Sequence, residues 1–176
     1  MIIAVELRGE SEMVDGNKAM VFVDTPNIII SARHFDIIRL DFLKLIDAIM
    51  GKANKVGANA YVVDRPEHHS FYLTLERLGI RVERVSLGKS VDGRLIFDML
   101  IGAIRDDYDI AILCSGDRDY VPVVEAIKRM GKEVWVASFT HSVNPGLKNA
   151  ADEFINLDKH VTKICLSKVL NEKARY

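Results

Sequence analysis

The chain is poor in cysteine and has no excess of either charge. Its 176 residues include two cysteines, Cys114 and Cys165, in apolar or amphipathic segments without a C-x-x-C motif or a histidine at zinc-ligand spacing. This pattern excludes a disulfide framework and a structural zinc site, and it predicts free thiols. The 24 Lys and Arg residues nearly balance the 25 Asp and Glu residues, so no global positive field attracts nucleic acid or an anionic membrane.

Long apolar runs are missing as well. No uninterrupted run approaches the roughly 18 residues of a membrane span, and the N-terminus lacks the basic start and apolar stretch of a secretory signal. We therefore expect a cytoplasmic protein that does not enter a membrane. The content of 49% hydrophobic and 28% charged residues is typical of one globular domain with a full core.

Short β-rich runs alternate with longer segments of helical period from Ala19 onward, which predicts an α/β fold with a parallel sheet. The runs are mostly apolar, as strands covered on both faces should be. Strands are predicted over residues 19–24, 58–64, 80–86, 109–115 and 133–139, with a sixth short strand over 155–158.

Amphipathic segments between these runs predict the helices. They cover residues 35–53, 66–79, 91–107, 117–131 and 160–174. In the first of them, one apolar stripe is formed by Ile38, Phe42, Leu45, Ile46 and Ile49. Residues 1–18 fit the alternation less well, so we assign them to an N-terminal extension, an edge strand or arm, and residues 19–176 to the main domain with its C-terminal helix.

Acidic residues recur where the predicted strands end. Asp24 ends the first strand, Asp92 follows the third, and Asp117 and Asp119 follow the fourth. In an open parallel sheet the functional site lies beyond these carboxyl ends. Clustered carboxylates repel one another unless a cation lies among them, and oxygen ligands suit Mg²⁺ or Mn²⁺. The pattern predicts a divalent-cation site, although each aspartate alone can also be explained as a helix cap or turn residue.

Several polar residues near this edge have two explanations each. Asp98 lies four residues after Arg94, so it is either an inward-facing ligand or part of an exposed ion pair. Asn27 holds either a turn or a phosphate. Basic residues in nearby loops either neutralise a polyanion or are merely solvated. These are Arg33, His34, Arg65, His68, His69, Lys89, Arg118, His141 and Lys148.

Three common site motifs are missing. No G-x-S-x-G occurs, which argues against a serine hydrolase. Residues 88–95, GKSVDGRL, resemble a P-loop but have Arg94 and Leu95 where its lysine and hydroxyl residue belong. The first strand is not followed by G-x-G-x-x-G, the usual dinucleotide fingerprint.

Five sequence blocks occur in a recognisable order between about residues 19 and 158. They are VFVDTPNI, KSVDGRLIFDML, DIAILCSGDRDYVPVV, GKEVWV and LKNAADEFINL. This succession resembles the NYN domain of the PIN-like nuclease superfamily, most closely its LabA-like branch. The S-G-D-x-D-[YF]-x-P segment is its most specific part. One departure is that Thr25 and Pro26 stand where the family commonly has a glycine after the first aspartate, and Pro26 removes an amide donor there.

The resemblance implies a three-layer Rossmann-like PIN fold with a central, mainly parallel sheet of five to six strands. It also implies an acidic site that binds Mg²⁺ or Mn²⁺ and hydrolyses RNA. The implied metal ligands are Asp24, Asp92, Asp117 and Asp98, and the implied catalytic residues are Asp24, Asp92, Asp117 and Asp119. Asn27 and Ser115 are the implied substrate contacts, and we add Arg118 and Lys148 as a basic rim for a polyanion.

We hold three hypotheses for the function. The first is a metal-dependent ribonuclease with RNA as its partner. The second is a non-catalytic RNA-binding or regulatory module with the same fold. The third is a phosphatase or nucleotidase for small phosphate esters, which ranks last because Pro26 occupies the place of the second aspartate in the haloacid-dehalogenase pattern. A homodimer is left open.

Overall fold

The computed structural model describes residues 17–168. Within this range the strands are β1 (Lys18–Asp24), β2 (Ile37–Leu40), β3 (Asn54–Val63), β4 (Arg81–Val85), β5 (Ile110–Cys114), β6 (Glu133–Ser138), β7 (Glu153–Asn156) and β8 (Cys165–Lys168). The helices are α1 (Thr25–Ala32), α2 (Phe42–Ile49), α3 (His69–Arg77), α4 (Asp92–Ile104), α5 (Val121–Arg129), α6 (Pro145–Ala150) and α7 (Val161–Ile164).

Six of the strands in residues 17–168 form one parallel sheet in the order β4-β3-β1-β5-β6-β7. Helices cover both faces, which confirms the predicted three-layer α/β fold and its sixth strand. The chain builds the sheet outward from β1 through β3 and β4, and then returns to add β5 on the other side of β1. The carboxyl ends of β1 and β5 therefore flank the switch point where such sheets bind ligands.

The alternation of side chains along β1 divides the core into two layers. Val21 and Val23 are fully buried in the layer that contains α1, α2 and α7, whereas Phe22 is buried in the layer that contains α4, α5 and α6. Cys114 is buried and Cys165 partly buried, and both are free thiols as predicted. Within residues 17–168, no helix is both long and apolar enough to cross a membrane.

The predicted helix over residues 35–53 is wrong in its first part. Residues Ile37–Leu40 form β2, and the helix begins only at Phe42, after Asp41 accepts a hydrogen bond from the Lys44 amide at 3.1 Å. Ile38, assigned to the apolar stripe, is 59% exposed. The reason is tertiary, because β2 pairs antiparallel with β8 from the far end of the chain.

The predicted helix over residues 160–174 is present over Val161–Ile164 and wrong over Cys165–Lys168. Helix α7 is a single turn, and the chain then forms β8 against β2. Residues 169–174 of this predicted helix lie outside the described residues. The predicted N-terminal extension also lies outside them, except for Asn17 and Lys18, and Lys18 already begins β1. Helix α1 directly after Asp24 was not predicted.

Candidate active site

Asp24 ends β1 and caps the helix that follows. Its carboxylate is buried, with 4% of the residue exposed, and Oδ1 accepts a hydrogen bond from the Asn27 amide at 3.1 Å. Pro26 lies in the first turn of α1, where a backbone N–H has no partner within the helix. The Thr25-Pro26 departure thus preserves the helix start and the placement of Asp24 and Asn27.

A single hydroxyl joins Asp24 to Asp92. The Tyr120 hydroxyl lies 3.2 Å from Oδ2 of Asp24 and 2.8 Å from Oδ1 of Asp92, and its single proton can be donated to either. Asp92 is the first residue of α4, where the helix dipole favours a negative charge, and its other oxygen accepts from Ser90. Two carboxylates that are far apart in sequence therefore meet at one point.

Burial dominates the electrostatics of Asp24 and Tyr120. It raises the pKa of Asp24, against the lowering effect of hydrogen bonds from the Asn27 amide and Ser115, and the charge of Asp92 raises it further. Burial also raises the pKa of Tyr120, and the Asp24 carboxylate adds to the rise, so the phenol keeps its proton at neutral pH. A cation at this point would offset both effects on Asp24.

The loop after β5 is tied to Asp24 by hydrogen bonds. The Ser115 hydroxyl donates to Oδ2 of Asp24 at 3.0 Å and accepts from the Asp117 amide at 3.2 Å. The side-chain oxygen of Asn27 accepts from the Gly116 amide at 3.0 Å. Asp117 is partly buried and accepts from the Asp119 amide at 3.0 Å, whereas Asp119 is exposed. The loop thus holds Asp117 at the same sheet edge as Asp24.

Gly116 occupies a position too narrow for any side chain. A Cβ there would lie 2.5 Å from the Ser142 carbonyl oxygen and 2.9 Å from the Ser138 hydroxyl oxygen. The Asn144 amide in turn donates to the Gly116 carbonyl at 2.8 Å. This close approach packs the loop that carries Asp117 against the segment after β6.

Asp98 lies in a separate ion-pair network. Arg94 Nε donates to both carboxylate oxygens of Asp98 at 3.0 and 2.9 Å, and the Tyr61 hydroxyl donates at 3.1 Å. The same guanidinium lies 2.8 Å from Glu83. The ion pair considered from the sequence is therefore present, and a role for Asp98 as a metal ligand stays a prediction.

The two basic residues of the proposed rim differ in their surroundings. Arg118 is exposed and lines a cavity of about 680 Å³ together with Asn144 and Pro145. Within residues 17–168 it forms no ion pair at 4.0 Å or less. Lys148 lies on α6, and its ammonium is 4.6 Å from the centre of the Phe154 ring, a cation–π contact. Arg118 follows the carboxyl end of β5, whereas Lys148 contacts β7.

The donor set fits a hard divalent cation. Within the described part of the chain, no three His, Cys, Asp or Glu side chains are grouped closely enough to form a complete metal cage. Mg²⁺ does not require one, since it is commonly held by one or two carboxylates, with waters and substrate phosphates as its other ligands. Asp24 and Asp92 supply such a pair, and Asp117 lies on the adjoining loop.

Two residues that contribute to this site were not singled out from the sequence. Tyr120 follows the acidic loop and is fully buried, yet a tyrosine beside an apolar helix is expected to be core. Tyr61 pairs with Asp24 across β3 and β1 and holds Asp98. The sequence signal for Tyr120 was its place in the S-G-D-x-D-[YF]-x-P segment, three residues after Asp117.

The fold and the edge geometry define an α/β protein with an acidic crevice at the switch point of a parallel sheet. Comparison with family models matches the NYN domain to residues 18–158. The chain belongs to the NYN domain family, which places it with the PIN-like nucleases.

Other comparisons add support for the fold. A protein of unknown function from Vibrio parahaemolyticus is similar in structure, with 25% sequence identity and a TM-score of 0.70. The similarity covers 81% of this chain and 94% of that one. No match was found among curated proteins.

Proposed function

We propose that this protein is a metal-dependent ribonuclease of the LabA-like branch, which hydrolyses RNA phosphodiester bonds at a Mg²⁺ or Mn²⁺ site. The observation that carries the proposal is the Asp24–Tyr120–Asp92 arrangement, in which two carboxylates meet at one hydroxyl beside the switch point of the sheet. NYN domains generally act on RNA. Binding of RNA in the cytoplasm, and a homodimer, remain predictions.

In this proposal Asp24, Asp92 and Asp117 hold the cation, and Asp98 is a less direct candidate because Arg94 and Tyr61 already occupy it. The cation, when bound, offsets negative charge on the phosphate and lowers the pKa of a coordinated water. Burial and the Asp92 charge make Asp24 a carboxylate that gains from a nearby cation.

The remaining residues have positioning and binding roles in this proposal. The exposed Asp119 carboxylate orients the attacking water. Ser115 holds the Asp24 carboxylate and the Asp117 amide in a fixed arrangement through its hydroxyl. Asn27 contacts the substrate through its amide nitrogen, since its oxygen is engaged by Gly116. Arg118 and Lys148 contact phosphates from the rim.

The decisive experiment is cleavage of a labelled single-stranded RNA with Mg²⁺, Mn²⁺ or no metal. We expect metal-dependent cleavage by the unaltered protein and loss of cleavage in Asp24→Asn. Asp47→Asn, which removes an exposed carboxylate from α2, should cleave normally and serves as the matched control.

Other outcomes identify the other functions. RNA binding without cleavage under every metal condition would indicate the regulatory module. Hydrolysis of p-nitrophenyl phosphate in the absence of RNA cleavage would indicate the small-phosphate enzyme. Cleavage that survives Asp24→Asn would mean that the activity resides elsewhere or in a contaminant.

A further inference from the structure

A large apolar groove opens beside the candidate active site. It has a volume of about 690 Å³ and lies between α1, β2, β8 and α3. Its walls include Ile29, Ile30, Ile38, Phe71 and Leu166, and we call it the α1–β2 groove. Ile30, Ile38 and Leu166 are 63%, 59% and 56% exposed, so apolar surface faces solvent along its length. Contiguous exposed apolar surface of this kind marks a binding site.

The groove reaches the first turn of α1, directly after Asp24. Thr25 and Pro26 line one end of it, and both directly follow Asp24 in α1. Arg65 lines the same region just beyond the carboxyl end of β3, the strand that pairs with β1. A chain molecule bound along the groove therefore has one part next to the first turn of α1, the helix that Asp24 caps.

The rim of the groove is cationic. Arg33, Arg39 and Arg65 line it, and its one acidic residue, Asp41, is paired with Lys44 at 3.3 Å. Within residues 17–168, Arg33 and Arg39 have no carboxylate within 4.0 Å. The only partner of Arg65 in that range is Glu67 at 3.7 Å, and this pair is too exposed to hold the arginine firmly.

An apolar floor with an arginine rim is complementary to a particular ligand. Unpaired bases stack on aromatic and apolar side chains, while arginines contact the backbone phosphates. In an RNA duplex the base faces are stacked inside the helix and are not available to the groove. The volume lies within the 300–1,000 Å³ that accommodates molecules of nucleotide size.

We infer that the α1–β2 groove binds unpaired nucleotides of a single-stranded RNA adjacent to the bond that is cleaved. This inference rests on the proposed function and adds a path for the RNA. It places part of the RNA over Arg39 and Arg65, in addition to the phosphate contacts proposed for Arg118 and Lys148.

The test is fluorescence anisotropy of a labelled single-stranded oligoribonucleotide and of the corresponding duplex, in Ca²⁺ to suppress cleavage, over a range of salt concentrations. The variants are Arg39→Ala, Arg65→Ala and Ile38→Ser. The matched control is Arg129→Ala, since this exposed arginine lies on α5, in the layer on the opposite face of the sheet. Thermal melts check that each variant folds.

We expect the single strand to bind more tightly than the duplex. Arg39→Ala and Arg65→Ala should each weaken binding and reduce the slope of log affinity against log salt by about 0.7, the effect of one lost phosphate contact. Ile38→Ser should weaken single-strand binding about fivefold without changing the slope, because it removes apolar contact and no charge. Arg129→Ala should change neither quantity.

Four results would overturn the inference. Equal affinity for the single strand and the duplex would show that the groove does not contact unpaired bases. Unchanged binding in the groove variants, with losses in Arg118→Ala and Lys148→Ala, would move the RNA to the other rim and leave the proposed function intact. A dimer in solution that Ile38→Ser dissociates would make the groove a contact between copies. If the unaltered protein binds no RNA at all, the inference and the proposed function both fail.

Discussion

The Tyr120 hydroxyl lies 2.8 Å from a carboxylate oxygen of Asp92. The same hydroxyl is 3.2 Å from Asp24, although a phenol has one proton and donates to one acceptor at a time. The two carboxylates therefore share a single donor. Without a cation, one of them is always less well compensated, so a cation bound here would compensate both carboxylates.

Replacing Asp24 should stabilise the metal-free fold. The folded pKa of Asp24 lies above the ordinary value of 3.8, so ionisation is more favourable in the unfolded chain. The resulting loss of stability is absent below pH 3.8 and develops as the pH rises through the folded pKa. We expect Asp24→Asn to raise Tm at pH 7, by about 2–4 °C for each kcal/mol of stability gained. This rise in Tm should become smaller as the pH is lowered. Asparagine can still cap α1.

Thermal melts with and without Mg²⁺ test this prediction. Mg²⁺ should raise the Tm of the unaltered protein and leave that of Asp24→Asn nearly unchanged. A large drop in Tm for the variant would show that the Asp24 carboxylate is chiefly a structural cap.

Asp92 should contribute more to metal binding than Asp98. Asp92 meets Asp24 at Tyr120, whereas Asp98 is engaged by Arg94 and Tyr61. We expect Asp92→Asn to weaken Mn²⁺ binding strongly in calorimetry. Asp98→Asn should change it little but lower stability by about 1 kcal/mol, because the pair is partly exposed. A greater loss of Mn²⁺ affinity in Asp98→Asn would place Asp98 among the ligands.

Removing the Tyr120 hydroxyl should affect the metal-free protein most. Tyr120→Phe keeps the buried ring but leaves Asp24 and Asp92 without their shared donor. We expect a loss of about 1–2 kcal/mol in metal-free denaturant unfolding, which Mg²⁺ largely restores because a cation takes over the compensation. An equal loss with and without Mg²⁺ would indicate a packing role alone. Tyr108→Phe, another buried tyrosine away from the acidic cluster, is the control for loss of a buried hydroxyl.

Gly116→Ala should displace the loop that carries Asp117. The added Cβ would approach the Ser142 carbonyl oxygen to 2.5 Å, and backbone cannot move aside cheaply. We expect a loss of about 1–3 kcal/mol in stability together with weaker Mn²⁺ binding. Gly93→Ala is the matched control, because a Cβ there meets nothing within 4 Å. Normal stability and metal binding in Gly116→Ala would show that the loop position is not needed.

The sequence alone determined the layered α/β fold and the edge at which the acidic residues gather. Apolar runs mark strands that are buried on both faces, and parallel strands bring their carboxyl ends to one edge. Asp24 and Asp117 could be assigned to that edge because Asp24 ends one such run and Asp117 follows another. These are properties of local pattern, which a single sequence contains.

The tertiary structure decided which of those residues meet. Helical period over residues 35–53 and 160–174 gave no sign that β2 and β8 pair with each other, because that pairing joins segments more than 120 residues apart. The same pairing creates one wall of the α1–β2 groove. Asp24 and Asp92 are linked by Tyr120, which contacts both carboxylates from the segment after β5. Asp98 contacts Arg94, which lies one turn earlier on the same face of α4. Contacts between distant segments have no period in the sequence, so only the folded chain fixes them.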